Sequence, residues 1–226
     1  MLLPALAAAV ALSGCGASNR LDEVALPGRR VAVAAAIPPA PRVQAGSPAE
    51  AGVNPWDPVG TAVRRETSET KRRQAVRAQA RLDSVVARVD VADRIARRTL
   101  ARTATALGFA PAGRPAEADF VLDLQVRDYG LVADSFEGDT FFVLLGEAVF
   151  LDARTGAELW RTDLEEREVV DNTVFRLPAI AGNLVTGRAL ASLSAQEMAV
   201  ALQRLGDVAA ERISERLVRD YQRSRR

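Results

Sequence analysis

Apolar and polar side chains alternate most regularly along residues 119–129, where Phe120, Leu122, Leu124 and Val126 are interleaved with Asp119, Asp123, Gln125 and Arg127. Successive strand side chains point to opposite faces, so this pattern predicts a strand with one buried and one wet face. Residues 141–151 predict a more uniformly apolar strand. The turn Asp152-Ala153-Arg154-Thr155-Gly156 leads into a strand at 157–170, making a hairpin in which Leu159 and Trp160 face opposite sides. Upstream, RRVAVAAAI at residues 29–37 predicts a first strand that stops at Pro38-Pro39.

Two segments repeat with the period of a helix. Within 67–107, Val85, Val89, Ala92, Ala96, Leu100, Thr103 and Leu107 fall on one stripe, with Arg94, Arg97, Arg98 and Arg102 on the other side. Asp90 is placed to cap a break in this segment, and Gly108 to end it. Ser194-Ala195-Gln196-Glu197 is a capping box that opens a last helix. The buried stripe of that helix is Met198, Leu202, Leu205, Ala209 and Ile213, continued by Leu217 and Tyr221.

The remaining segments predict irregular structure. Residues 38–60 are rich in Pro, Gly and Ala and predict a loop or disordered insert around Trp56, which is either a partner anchor or a lid. Residues 130–140 form an acidic link exposing Phe136. Residues 171–191 repeat apolar side chains, Phe175 among them, but Pro178, Gly182 and Gly187 interrupt any helix. That segment is either an apolar arm for a partner or a loop packed on its own sheet. The strand–helix–strand–strand–strand–helix order predicts an α+β fold: a two-layer sandwich with a mainly antiparallel four-stranded sheet and two helices on one face.

Residues 1–12 are wholly apolar, too short to span a bilayer core as a helix but suited to the apolar region of a secretory signal. The run ends in Leu12-Ser13-Gly14-Cys15, which resembles the lipobox of bacterial lipoproteins. That resemblance implies cleavage before Cys15 and acylation of its thiol and new amine, several chains together giving stable anchoring. Gly16, where an Asp would favour inner-membrane retention, implies sorting to the periplasmic face of the outer membrane. The run departs from the usual signal in having no Lys or Arg before Cys15. The expected organisation is a signal peptide at 1–14, a tether at 15–28, one periplasmic domain at 29–221 containing the 38–60 insert, and a frayed tail at 222–226.

Composition narrows the chemistry. There is no His and a single Cys, which excludes Ser–His and Cys–His nucleophiles and His-ligated zinc. No phosphate loop or dinucleotide fingerprint occurs. Glu165, Glu166 and Glu168 lie along one strand, so neighbours point apart and predict solubilising edge charge rather than a carboxylate pair. No catalytic residue, metal or cofactor is therefore expected.

Net charge is +1, yet residues 64–102 hold 12 basic and 5 acidic side chains, and 117–171 hold 15 acidic and 4 basic. The segregation reads as solvated, partly complementary faces, or as an Arg face laid on lipid or lipopolysaccharide phosphates. No aromatic residues interleave the Arg run, which argues against nucleic acid.

The VAVA strand, the Leu107-Gly108-Phe109 helix end, EADFVLDLQV and VFLDARTGAELW together resemble a broad group of envelope lipoproteins. These are the curli-secretion and penicillin-binding-protein-activator lipoproteins and the auxiliary lipoproteins of lipid-exporting ABC systems. The resemblance covers roughly residues 29–170 and implies a non-catalytic module with an envelope protein partner, or one that binds lipid or glycolipid. Candidate contacts are Arg94, Arg97, Arg98, Arg102, Trp56, Phe136 and Phe175, with Cys15 as the lipidation site.

Overall fold

The structure is a computed structural model that describes residues 19–46, 72, 73, 76, 77, 79, 80, 83–172 and 184–226. Its strands are β1 (Arg30–Ala36), β2 (Arg42–Gln44), β3 (Ala110–Pro111), β4 (Phe120–Ala133), β5 (Thr140–Asp152) and β6 (Glu158–Val169). Its main helices are α1 (Val91–Leu107), α2 (Gly187–Ser192) and α3 (Ala195–Ser224).

The fold is α+β, but the sheet is mixed and six-stranded rather than mainly antiparallel and four-stranded. Its order is β3-β1-β4-β5-β6, with β2 also pairing β4. Helix α1 returns the chain to the end at which β1 begins, where Gly28 donates to the Gly108 carbonyl, so β4 enters parallel to β1, Val31 opposite Phe120. The hairpin strands β4, β5 and β6 are antiparallel as expected.

Strands β2 and β3 escape pattern reading because three and two residues cannot show an alternation. Strand β2 continues the line of β1 after the proline break: β1 pairs the first half of β4 and β2 its second half, Arg42 opposite Gly130. A Cβ at Gly130 would overlap the Arg42 carbonyl, so the close approach needs glycine there. The Gln79 amide hydrogen-bonds β2 as well, donating to the Val43 carbonyl at 2.6 Å. Residues 38–46 of the predicted insert are thus ordered; residues 47–60, with Trp56, lie outside the described residues.

The first helical segment is broken at residues 87–90, and Asp90 caps the new start by accepting from the Asp93 N–H at 2.9 Å. The break resets the helical phase. The buried positions of α1 are Val91, Ile95, Thr99, Thr103, Ala104 and Leu107, while the predicted Ala92, Ala96 and Leu100 are only half-buried. Gly108 ends the helix at φ 72°, the left-handed conformation expected of it. The capping box at Ser194 forms, and the stripe predicted for α3 is buried from Met198 to Leu217, with Tyr221 half-buried.

One core joins the helix-facing strand residues, Leu122, Leu124, Phe142, Leu144, Phe150, Trp160 and Leu164 among them, to both stripes. Leu159 and Trp160 are both buried, so neither side of the hairpin at that level is wet.

The tether expected at 15–28 is not one where the structure describes it. Leu21 and Leu26 are fully buried in the core. Asn19 bridges Trp160 on the free edge of β6, and the Arg20 N–H donates to the Leu159 carbonyl at 2.7 Å. From there the chain passes the C-terminal ends of both long helices: Leu26 donates to the Tyr221 hydroxyl at 3.3 Å, and Gly28 to the Gly108 carbonyl at 2.9 Å. These two leucines interrupt a polar run at a spacing that matches neither period, so no pattern flags them. The expected frayed tail is instead helical to Ser224, and Arg225 hydrogen-bonds the Val24 carbonyl.

Candidate functional site

Helix α3 organises the charge. Asp207 and Glu211 lie one turn apart on the side facing α1, and Arg212 and Arg216 lie one turn apart on the side facing β6. Arg94 donates to both Asp207 oxygens, through Nε at 2.9 Å and Nη2 at 2.8 Å. Arg98 reaches the same carboxylate at 3.3 Å, Arg102 reaches Glu211 at 2.6 Å, and Arg97 pairs within α1 with Asp93 at 2.5 Å. On the other side Arg212 meets Glu168 and Arg216 meets Glu166, each at 2.6 Å. Among the described residues the basic helix and the acidic sheet form no direct ion pair. The last helix pairs with both, offering acids to α1 on one flank and arginines to β6 on the other.

Burial alone would push the Asp207 carboxyl up, but hydrogen bonding from Arg94 and the charges of Arg94, Arg98 and Arg204 hold it below the usual aspartate range. Hydrogen bonding to Glu168 raises Arg212 against the opposing effect of its burial. Glu166 and Glu168 are thus more than edge charge, since both fasten α3 to the sheet.

Beyond this network, toward the C-terminal ends of α1 and α3, the two helices leave a groove of about 700 Å³ between them. Ala101, Thr105 and Val218 supply short side chains, and Arg98, Arg102 and Arg219 supply the charge. Arg98 and Arg102 are 56% and 45% exposed, and the exposed Arg219 has no ion pair or side-chain hydrogen bond among the described residues. Arg94 and Arg97 do not line the groove.

A second, polar hollow of about 370 Å³ lies on the outer sheet face, lined by Gln125, Arg127, Gly146, Glu147 and Asp163. It sits where the β4–β5 register shifts between Val126 and Asp128. Arg161 clamps one wall by pairing with Glu147 and Glu158.

Phe136, expected to be exposed in an acidic loop, is 4% exposed, with the Arg188 guanidinium 5.6 Å over its ring. The loop is shorter than its composition implies, because β4 runs on to Ala133 and β5 starts at Thr140. Leu184 returns the 171–191 segment to Asp171 through a bridge, and Thr186 caps α2. Phe175 and Cys15 lie outside the described residues.

Sequence reading missed Arg219, Arg212, Arg216 and Asp207. The available signal was the i, i+4 spacing of Asp207 with Glu211 and of Arg212 with Arg216 on the polar side of a capped helix. Among the described residues no cluster of His, Cys, Asp or Glu could hold a metal ion, and no helix is long and apolar enough to cross a membrane. Compared with known proteins, the chain matches no family model, no curated protein and no solved structure.

Proposed function

We propose that this chain is a lipid-anchored, non-catalytic module on the periplasmic face of a bacterial outer membrane, acylated at Cys15, where it assembles or regulates an envelope complex. The observation that carries this reading is the junction between anchor motif and body. Asn19 is already tied to the edge of β6, only four residues after Cys15. Four extended residues reach at most about 14 Å, so acylation there would hold the body directly against the bilayer. The polar outer sheet face, with its hollow around Arg127 and Asp163, would then remain free for a protein partner.

A second reading, an auxiliary that binds lipid or glycolipid for transport, is favoured by the groove between α1 and α3.

Fractionation with mass spectrometry of the N-terminal peptide tests the anchor. Native protein should sediment with outer membranes and carry acyl chains on Cys15, while Cys15→Ala should be released. A bare Cys15 with residues 1–14 still attached would overturn the reading. Crosslinking of the anchored protein separates the two functions. A stoichiometric protein partner lost on Arg127→Glu supports the assembly module. Enriched lipid with no such partner supports the auxiliary.

A further inference from the structure

We propose that the groove between α1 and α3 is a lipid-phosphate site, in which Arg98, Arg102 and Arg219 receive the headgroup of an anionic lipid from the leaflet that holds Cys15. The source of the lipid rests on the anchored reading above; the groove's chemistry rests on its own geometry.

The arginines of α1 divide into two sets. Arg94 spends its fork on both oxygens of Asp207, and Arg97 is paired with Asp93. The groove arginines keep donors in reserve. Arg98 only shares Asp207 with Arg94, Arg102 gives one amino group to Glu211, and Arg219 gives none to any described residue. Planar guanidinium groups with spare N–H donors suit the oxygens of a phosphate, which can accept from more than one of them. The carboxylate lining the same groove, Glu215, is 3.7 Å from Arg212, which offsets its charge.

Ala101, Thr105 and Val218 are short and leave the space between the two helices open. What remains is a mostly apolar trough beside a cationic group, the profile of a phosphate esterified to a glycerol and the first carbons of its acyl chains.

Placement selects the bilayer as the source. Arg219 precedes Asp220, whose carbonyl accepts from the Asn19 amide at 3.5 Å and whose carboxylate accepts from Trp160 Nε1 at 3.0 Å. The groove's basic corner therefore lies at the same end of the molecule as the first described residue of the chain. Cys15 lies within about 14 Å of Asn19 at full extension. Residues 216–226 hold five arginines and one aspartate, so this end also attracts anions at longer range.

Vesicle flotation of the full chain carrying Cys15→Ser tests the proposal without any acyl anchor. Vesicles of phosphatidylcholine alone should float little protein, and vesicles containing phosphatidylglycerol should float it in a salt-sensitive manner. Arg219→Gln should weaken that binding about fivefold, and adding Arg98→Gln about as much again. Arg219→Lys, which keeps the charge, should retain most of it. Arg114→Gln, at the same end but outside the groove, should leave it unchanged. Circular dichroism melts checks that each variant is folded. Equal weakening by Arg114→Gln, or equal flotation with both vesicle types, would overturn the site. Because Cys15→Ser cannot be acylated, these outcomes are independent of the anchor, which the mass of the native N-terminal peptide decides by itself.

Discussion

Arg94 and Asp207 face each other across the two long helices in a paired, two-hydrogen-bond contact, with side chains 27% and 24% exposed. Each is largely withdrawn from water, so removing one partner leaves the other charge poorly solvated. Arg94→Ala should lower stability by about 2 kcal/mol in urea unfolding. Arg97→Ala, which breaks an exposed pair within α1, should cost well under about 1 kcal/mol.

The same contact makes a pH prediction. The Asp207 carboxyl is held below its ordinary value, so its contribution is fully present above the unfolded-state range near pH 4 and is lost as pH falls through the folded value. Wild type should therefore exceed Asp207→Asn in stability at neutral pH, and the gap should close on acidification below about pH 4. A gap that stays constant down to the acid transition would show that the pair contributes no pH-dependent stability.

Leu26 is fully buried although it sits in a stretch whose composition predicts a tether. Its side chain belongs to the main core, and Leu→Ala changes in such positions cost about 2–5 kcal/mol. Leu26→Ala should therefore shift the urea midpoint substantially, and deletion of residues 19–28 should impair folding. A surface tether would tolerate Leu26→Ala within about 0.5 kcal/mol, so one pair of unfolding curves decides between them.

Gly130 lets β2 lie against β4, and a Cβ there would enter the Arg42 carbonyl. Gly130→Ala should force the two strands apart and cost about 1–3 kcal/mol. Hydrogen exchange should localise the damage to residues 42–44 and 130–132, with the β4–β5–β6 hairpins still protected. Uniform deprotection of the whole sheet would contradict this.

These cases show which parts of the architecture are legible from side-chain pattern alone. Residues 120–127 of β4 and helix α3 each bury one face against a large partner, so their periods are written along the sequence, whereas residues 129–133 of β4 are buried throughout and show no alternation. The Asp90 and Ser194 caps were legible because local hydrogen bonds depend on residues three apart in the chain. Strand β2 and the strap at 19–28 are not, because their backbone partners on β4, β6 and α1 lie far away in the chain and only one or two side chains anchor each. Parallel pairing of β1 with β4 leaves no mark on either strand; it follows from where α1 delivers the chain. Of the arginines read from the basic helix, the sequence could not divide those facing Asp207 from those facing open space. That division depends on carboxylates more than 100 residues away, on the polar side of the last helix.

The short link between Cys15 and Asn19 gives the last prediction. If acyl chains on Cys15 hold the bilayer close to the ends of α1 and α3, lengthening the link should release that end while leaving the anchor intact. An insertion of about ten Gly/Ser residues after Ala17 adds a flexible spacer with a typical span of roughly 17 Å. The sequence has one Cys, so when that residue is acylated a cysteine introduced at Gln222 is the sole free thiol for a water-soluble maleimide. Gln222 is exposed on α3 and lines the groove. In membranes bearing the native link it should label slowly, and several-fold faster once the spacer is present. A cysteine at Asp134, beyond the other end of β4, should label at the same rate in both. Equal rates at Gln222 with and without the spacer would place the helix ends away from the lipid, whatever the state of Cys15.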